Sequence, residues 1–157
     1  MAVGLLPAYG RVIYKGVKVN RRTKAALEWV RKRTGINFSL AQGSYNVGVA
    51  ASAGTHDGGG VVDVRVTDLT AGEIDIVLRA LKDAGFAAWY RPAVSGLWGP
   101  HIHAVLRGDK EMAPGAAAQV VSYDAKRSGL KGNAWDATYR PSPRVQFSYR
   151  LGKPVVL

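Results

Sequence analysis

Cysteine is absent from this chain of 157 residues, and histidine occurs only three times. Without cysteine there are no disulfides and no thiolate ligands, so any metal site has to use nitrogen and oxygen donors. No apolar run approaches the roughly 18 residues of a membrane-spanning helix, and we therefore predict no membrane span. Residues 1–7 lack the charged region and long apolar core of a signal peptide, which predicts synthesis in a cytoplasm without an export signal.

Acidic residues are also scarce. The chain has 11 Asp and Glu against 22 Lys and Arg, a formal net charge of +11. Such a charge attracts polyanions such as nucleic acid, an anionic membrane or a phosphate-rich cell wall, although it is also compatible with a merely solubilising surface. No zinc-finger, helix-turn-helix or RNA-binding signature accompanies the charge, so a nucleic-acid partner is not expected.

The apolar pattern predicts two capped helices. The first opens at Asn20 and stops at Gly35, and the second opens at a capping box formed by Thr70 and Glu73 and stops at Gly85. Further elements are predicted as a short strand or turn at 38–45, strands at 61–66, 86–91 and 102–107, and a helix at 116–123. No repeat or long linker divides the chain. We therefore predict one α+β domain over residues 1–157, with residues 108–157 as a C-terminal extension that wraps the core.

All three histidines fall in two short motifs, at 52–63 and 98–103. His56 lies on a glycine-rich loop, and Asp63 follows on a valine-rich strand, where a buried carboxylate needs a partner. His101 and His103 alternate along a strand, so both project from one face while Ile102 enters the core. Taken singly, each histidine is compatible with an ordinary structural role. Together, two histidines and one carboxylate match a catalytic zinc set, with the remaining histidine beside the ion.

The pattern His-x6-Asp followed by His-x-His resembles the zinc D-alanyl-D-alanine peptidases of bacterial cell walls, whose fold is shared by Hedgehog signalling domains. The resemblance spans residues 20–107, with a serine-to-histidine spacing (Ser52 to His56) one or two residues longer than usual. It implies a small, mostly antiparallel sheet flanked by helices. It also implies Zn²⁺ held by His56, Asp63 and His103, with His101 as the catalytic histidine.

The resemblance also suggests residues that bind substrate. The stretch Gln42, Gly43, Ser44, Tyr45 resembles one that lines the cleft in related actinobacterial and phage sequences. Arg65 shares the sheet face of Asp63, where it is available for a substrate carboxylate or for a structural salt bridge. Trp98 and Tyr90 are candidates for a cleft wall, with burial in the core as the alternative.

One departure from the family concerns the general base. Many members carry an acidic residue shortly before the final ligand, and residues 95–100 contain none. His101 is therefore the candidate for proton transfer or for stabilising an oxyanion, and Asp57, next to His56, is a second candidate for the base.

These features predict a zinc-dependent peptidoglycan peptidase that cleaves stem peptides or cross-links. The absence of a recognisable signal peptide and the basic charge favour a monomeric phage lysin. Such a lysin is made in the host cytoplasm and acts on the wall after release or as part of a virion. One alternative is a non-catalytic, zinc-stabilised module that binds the wall or a partner. Another is a basic nucleic-acid-binding protein or nuclease. Residues 129–157 form either a small binding extension or a segment that wraps the domain.

Overall fold

The computed structural model describes residues 5–139, 141–142 and 144–157, and it has an α+β fold, as predicted. Within those residues the strands are β1 (Arg11–Tyr14), β2 (Val17–Asn20), β3 (Leu40–Gln42), β4 (Val61–Arg65), β5 (Phe86–Arg91), β6 (His101–Leu106), β7 (Val145–Ser148) and β8 (Lys153–Val156). The helices are α1 (Arg21–Thr34), α2 (Ala71–Ala84) and α3 (Pro114–Asp124). In the described part of the chain, none of the helices combines the length and the apolar character needed to cross a membrane.

The central element is a four-stranded antiparallel sheet in the order β3-β4-β6-β5. One face packs against α1 and α2 and buries Val62, Val64 and Ile102 in the main core. The opposite face packs against α3 through a smaller cluster that includes Trp89. Because side chains alternate across a strand, burial of Ile102 in the main core sends His101 and His103 to the α3 side, which confirms the predicted alternation.

Capping fixes the ends of the two core helices where the sequence places them. The side chain of Asn20 accepts a hydrogen bond from the backbone of Thr23, and α1 stops at Gly35 in a left-handed conformation. The capping box of Thr70 and Glu73 is formed at the start of α2. An N-cap of this kind contributes about 1 kcal/mol, so local chemistry sets where the helices that support the sheet begin.

Two hairpins lie outside the central sheet. The β1–β2 hairpin was not predicted, although its turn residues Lys15 and Gly16 both have positive φ and separate short alternating strands. The C-terminal hairpin of β7 and β8 forms its own two-stranded sheet and does not extend the central one. Phe147 of this hairpin is buried in the main core, and its carbonyl accepts a hydrogen bond from the buried Arg22.

Candidate metal centre and cleft

The loop that carries His56 is held between two backbone segments. Tyr45 donates a backbone hydrogen bond to Gly58, and Gly59 donates one to Glu111. At Gly58 an added Cβ would collide with the carbonyl oxygen of Glu111, so the loop approaches this segment closely enough to require glycine. As a result, His56 is only 1% exposed, although it belongs to a loop.

Three imidazole rings converge on one carboxylate oxygen, Oδ1 of Asp63. His103 Nδ1 lies 2.8 Å from this oxygen, and His56 Nε2 lies 3.3 Å from it. His101 Nε2 is farther away, at 3.9 Å. The register explains the arrangement, because Asp63 on β4 pairs directly with His103 on β6. His101 precedes His103 by two residues and therefore lies on the same face.

The outer nitrogen of each ring contacts a carbonyl oxygen. His56 Nδ1 lies 2.7 Å from the carbonyl of Gly43, and His101 Nδ1 lies 2.8 Å from that of Gly99. His103 Nε2 lies 2.7 Å from the side-chain oxygen of Gln119. A carbonyl oxygen can only accept, so each of these outer nitrogens carries the hydrogen.

The side chain of Gln119 has an unambiguous orientation. Its amide nitrogen donates to the carbonyl of Gly129 at 3.3 Å, which leaves its oxygen to face His103. In the neutral tautomer that results, the Nδ1 lone pair of His103 is directed at Asp63. A metal-binding histidine is usually oriented by a hydrogen bond of this kind from its other nitrogen.

The inner nitrogens and the carboxylate therefore need a cation between them. In each neutral ring, the nitrogen facing Asp63 is an acceptor, and acceptors at 2.8–3.9 Å from a carboxylate oxygen require either a proton or a metal ion. Ligand atoms of His56, Asp63 and His103 lie within 4.8 Å of one another, and this group could hold a metal ion. The donor set of two nitrogens and one oxygen fits such an ion.

Burial and charge act in opposite directions on the two most tightly coupled groups. Burial alone would raise the pKa of Asp63, but hydrogen bonds and charge interactions with His103 and His56, which these rings supply once they carry a second proton, outweigh it and hold this pKa well below the usual 3.8. Burial lowers the pKa of His103, although Asp63 opposes the change. A metal ion at neutral pH would thus meet an ionised carboxylate and little competition from a proton on His103.

His56, Asp63 and His103, which form the candidate metal-binding group, lie in an open cavity of about 520 Å³. Gln42 and Trp98, both predicted to bind substrate, line this cavity, and the Trp98 ring contacts that of His101 edge to face at 6.1 Å. Gln42 also donates a hydrogen bond to Ser52 at 3.0 Å, which joins β3 to the loop before His56.

Other residues predicted for the site lie outside the cavity. Ser44 is buried and bonds to the backbone of Val61, a structural role. The hydroxyl of Tyr45 donates to Glu111, and burial is the main cause that raises its pKa to about 12. Asp57 is exposed beside the turn at Gly54, away from the cavity lining.

Tyr90 and Arg65 lie outside the cavity for different reasons, Tyr90 because of strand alternation and Arg65 because it is exposed to solvent. Tyr90 pairs with Ile102 and lines a separate cavity beside α2, so it does not share a wall with Trp98. Arg65 lies on the face of Asp63, as predicted, but it is exposed and does not line the described cavity. Of the predicted substrate-binding residues, the structure thus brings only Gln42 and Trp98 to the metal-binding group.

The cavity residues that the sequence did not single out include Gln119 and Arg91. Gln119 comes from α3, and no motif links it to the histidines. Strand parity in the sequence separates Arg91 from Tyr90, but only the pairing of β5 with β6 shows that Arg91 lies opposite His101. Its guanidinium lies 4.7 Å from the centre of the Trp89 ring. Burial lowers the pKa of Arg91 to about 10.

Comparisons of this chain with protein-family models, with curated proteins and with solved structures each returned no match. The side chains of the cavity and the two histidine motifs are therefore the features that indicate a function.

Proposed function

We propose that this protein is a zinc-dependent peptidoglycan peptidase, acting as a phage lysin on stem peptides or cross-links. The observation that carries the proposal is the convergence of three histidine nitrogens on Asp63 in an open cavity, each ring oriented by a carbonyl on its far side. Purely structural histidines do not need this shared orientation, whereas ligands of one ion do.

His56, Asp63 and His103 would hold the zinc ion. When bound, zinc lowers the pKa of water from about 15.7 towards ~7 and polarises a carbonyl group, which is the chemistry that amide hydrolysis requires. The side chain of Gln119 holds the ring of His103 in the tautomer that presents Nδ1 to the ion. The fit of these donors supports zinc, because two histidines and one carboxylate form one of its usual catalytic sets.

His101 is the candidate for proton transfer. It is only partly buried, lines the cavity, and directs Nε2 towards the metal-binding group from 3.9 Å. With Nδ1–H held by Gly99, Nε2 is free to accept a proton from water and return it to the leaving amine. Among the described residues that line the cavity, Asp63 is the sole carboxylate, so His101 has no acidic competitor there for this role.

The charge of the chain supports a cell-wall substrate. At a net charge of +11, the protein would be drawn to anionic wall polymers, which raises its local concentration at peptidoglycan. The enzyme would act after release from the host cytoplasm or as part of a virion.

The test is hydrolysis of purified peptidoglycan, followed by released amines and fragment masses, with bound zinc quantified for every variant. His103→Ala should lose both zinc and activity, and His101→Ala should keep zinc and lose activity. Asp63→Asn should behave like His103→Ala. Its matched control, Asp57→Asn, should keep both zinc and activity, because Asp57 lies outside the cavity. Retention of full hydrolysis by His103→Ala would refute the proposal.

The second candidate function is a non-catalytic module that uses zinc for stability. The observation in its favour is the lack of any carboxylate beside Asp63 among the described cavity residues. This candidate predicts stoichiometric zinc, unfolding on chelation and no released amines from any wall preparation. A peptidase instead loses hydrolysis on chelation and regains it when zinc is restored.

A further inference from the structure

Two arginines flank His101 on the same face of the central sheet. Arg65 is its partner across β4, and Arg91 is its partner across β5. Their surroundings differ, because Arg65 is exposed whereas Arg91 is only 5% exposed and lines the cavity. The register thus supplies a matched pair of guanidinium groups, one in solvent and one inside the cleft.

The guanidinium of Arg91 lacks a hydrogen-bond acceptor for one of its buried nitrogens. Nη2 has no partner among the described residues. The ring of Trp89 lies at 4.7 Å and supports the cation, but its face cannot accept a conventional in-plane hydrogen bond. Asp63 and Asp136 attract the charge through space, and neither lies within ion-pair distance. Leaving a charged donor unpaired in this way is costly, and the guanidinium therefore favours an anionic partner in the cavity that Arg91 lines.

We propose that Arg91 binds a carboxylate of the substrate, so that the peptides cleaved in this cavity carry a carboxylate close to the scissile bond. This inference rests on the proposed peptidase function and specifies its substrate class. The planar fork of a guanidinium matches the two oxygens of a carboxylate, and stacking on Trp89 holds the fork in one orientation.

The position of Arg91 defines where that carboxylate lies. Arg91 is opposite His101, and Asp63 and His103 lie two residue pairs farther along the sheet, on the same face. A peptide anchored on Arg91 would therefore place its adjoining amide near His101 and the metal-binding group. Lys131, also in the cavity lining, adds positive charge to the same cleft.

The experiment uses a peptidoglycan stem pentapeptide that has a free C-terminal carboxylate and a free D-glutamate α-carboxylate. Two further peptides carry an amide at one or the other of these positions. For wild type, the kcat/KM for one amidated peptide should fall by about 30-fold or more, the size expected for truncating one partner of a buried charge pair. The position of the sensitive amide identifies the carboxylate that Arg91 binds.

The variants separate recognition from structure. Arg91→Gln should cleave the unmodified pentapeptide and the sensitive amidated peptide at similar, low rates. Its matched control Arg65→Gln should keep the wild-type preference for the unmodified peptide. Arg91→Lys retains the charge without the two-point fork and should show an intermediate preference, which provides a readout if Arg91→Gln folds poorly. Equal losses on acid and amide in Arg91→Gln would show a structural role only and would overturn the proposal.

Failure of the peptidase function can be distinguished from failure of this inference. If wild type cleaves none of the three peptides, direct titration of the zinc-loaded protein with the same peptides still tests Arg91. The inference is supported without hydrolysis if the unmodified pentapeptide binds more tightly than one of the amidated peptides. This difference should be lost in Arg91→Gln and kept in Arg65→Gln. Equal binding of all three peptides by wild type overturns it.

Discussion

His103 donates a hydrogen bond of 2.7 Å from Nε2 to the side-chain oxygen of Gln119. This bond connects the central sheet to α3 and determines which nitrogen of His103 faces Asp63. The amide of Gln119 is in turn fixed by its contact with Gly129. The orientation of a single ring thus depends on three successive segments, which are β6, α3 and the loop at Gly129.

We expect Gln119→Met to weaken zinc binding by about 10–100-fold, the usual effect of removing a partner that orients a metal ligand. Methionine preserves the length of the side chain and removes the acceptor, so packing should change little. Competition with a chromophoric chelator measures the affinity. The matched control is Gln146→Met on β7, which lies outside the cavity lining and should bind zinc like wild type. Equal affinities for the two variants would contradict the role assigned to Gln119.

Zinc affinity should fall as the pH is lowered, because the ion and protons compete for the inner histidine nitrogens. Burial lowers the pKa of His103, so its protonation competes only below the ordinary histidine value of about 6.5. The pKa of Asp63 is held well below 3.8, and its protonation therefore contributes only in stronger acid. Competition titrations from pH 4 to pH 8 should show a plateau at the alkaline end and a decline that begins below about pH 6.5. An affinity that stays constant down to pH 4 is incompatible with histidine ligands.

The sequence predicted the cluster of His56, Asp63 and His103 better than the rest of the cleft, for a physical reason. Strand alternation places His101 and His103 on one face, and an aspartate in a valine-rich strand requires a polar partner nearby. These rules are local, and the structure agrees with both. Gln119 and Arg91 reach the cavity through tertiary packing and strand register, which no local pattern encodes. The sequence shows that Tyr90 and Arg91 lie on opposite faces of β5, but it does not show which of these faces meets the site.

Close approach at Gly58 should make Gly58→Ala destabilising by about 2 kcal/mol or more, because overpacking against backbone atoms forces the loop to move. The shift would also displace His56, so zinc affinity should fall together with the free energy of unfolding. Gly72→Ala is the matched control. A Cβ at Gly72, in the first turn of α2, meets only the hydroxyl oxygen of Thr70 at 4.0 Å, and alanine there should be neutral or stabilising by up to about 1 kcal/mol. Urea denaturation of the zinc-free proteins gives both values, and an unchanged midpoint for Gly58→Ala would rule out the tight contact.

The C-terminal hairpin should contribute to the stability of the whole fold through Phe147. This side chain is 2% exposed and packs in the same core as the central sheet, so Phe147→Ala should lower the free energy of unfolding by about 3–5 kcal/mol. Val156→Ala on the neighbouring strand β8 is the control, since Val156 is 84% exposed and its truncation should cost less than about 0.5 kcal/mol. Thermal and urea denaturation followed by circular dichroism measure both changes. If residues 145–156 were instead an independent binding extension, Phe147→Ala would leave the main unfolding transition in place and would reduce only binding to the cell wall. A main unfolding transition that shifts to lower urea in Phe147→Ala, and not in Val156→Ala, assigns the hairpin to the core.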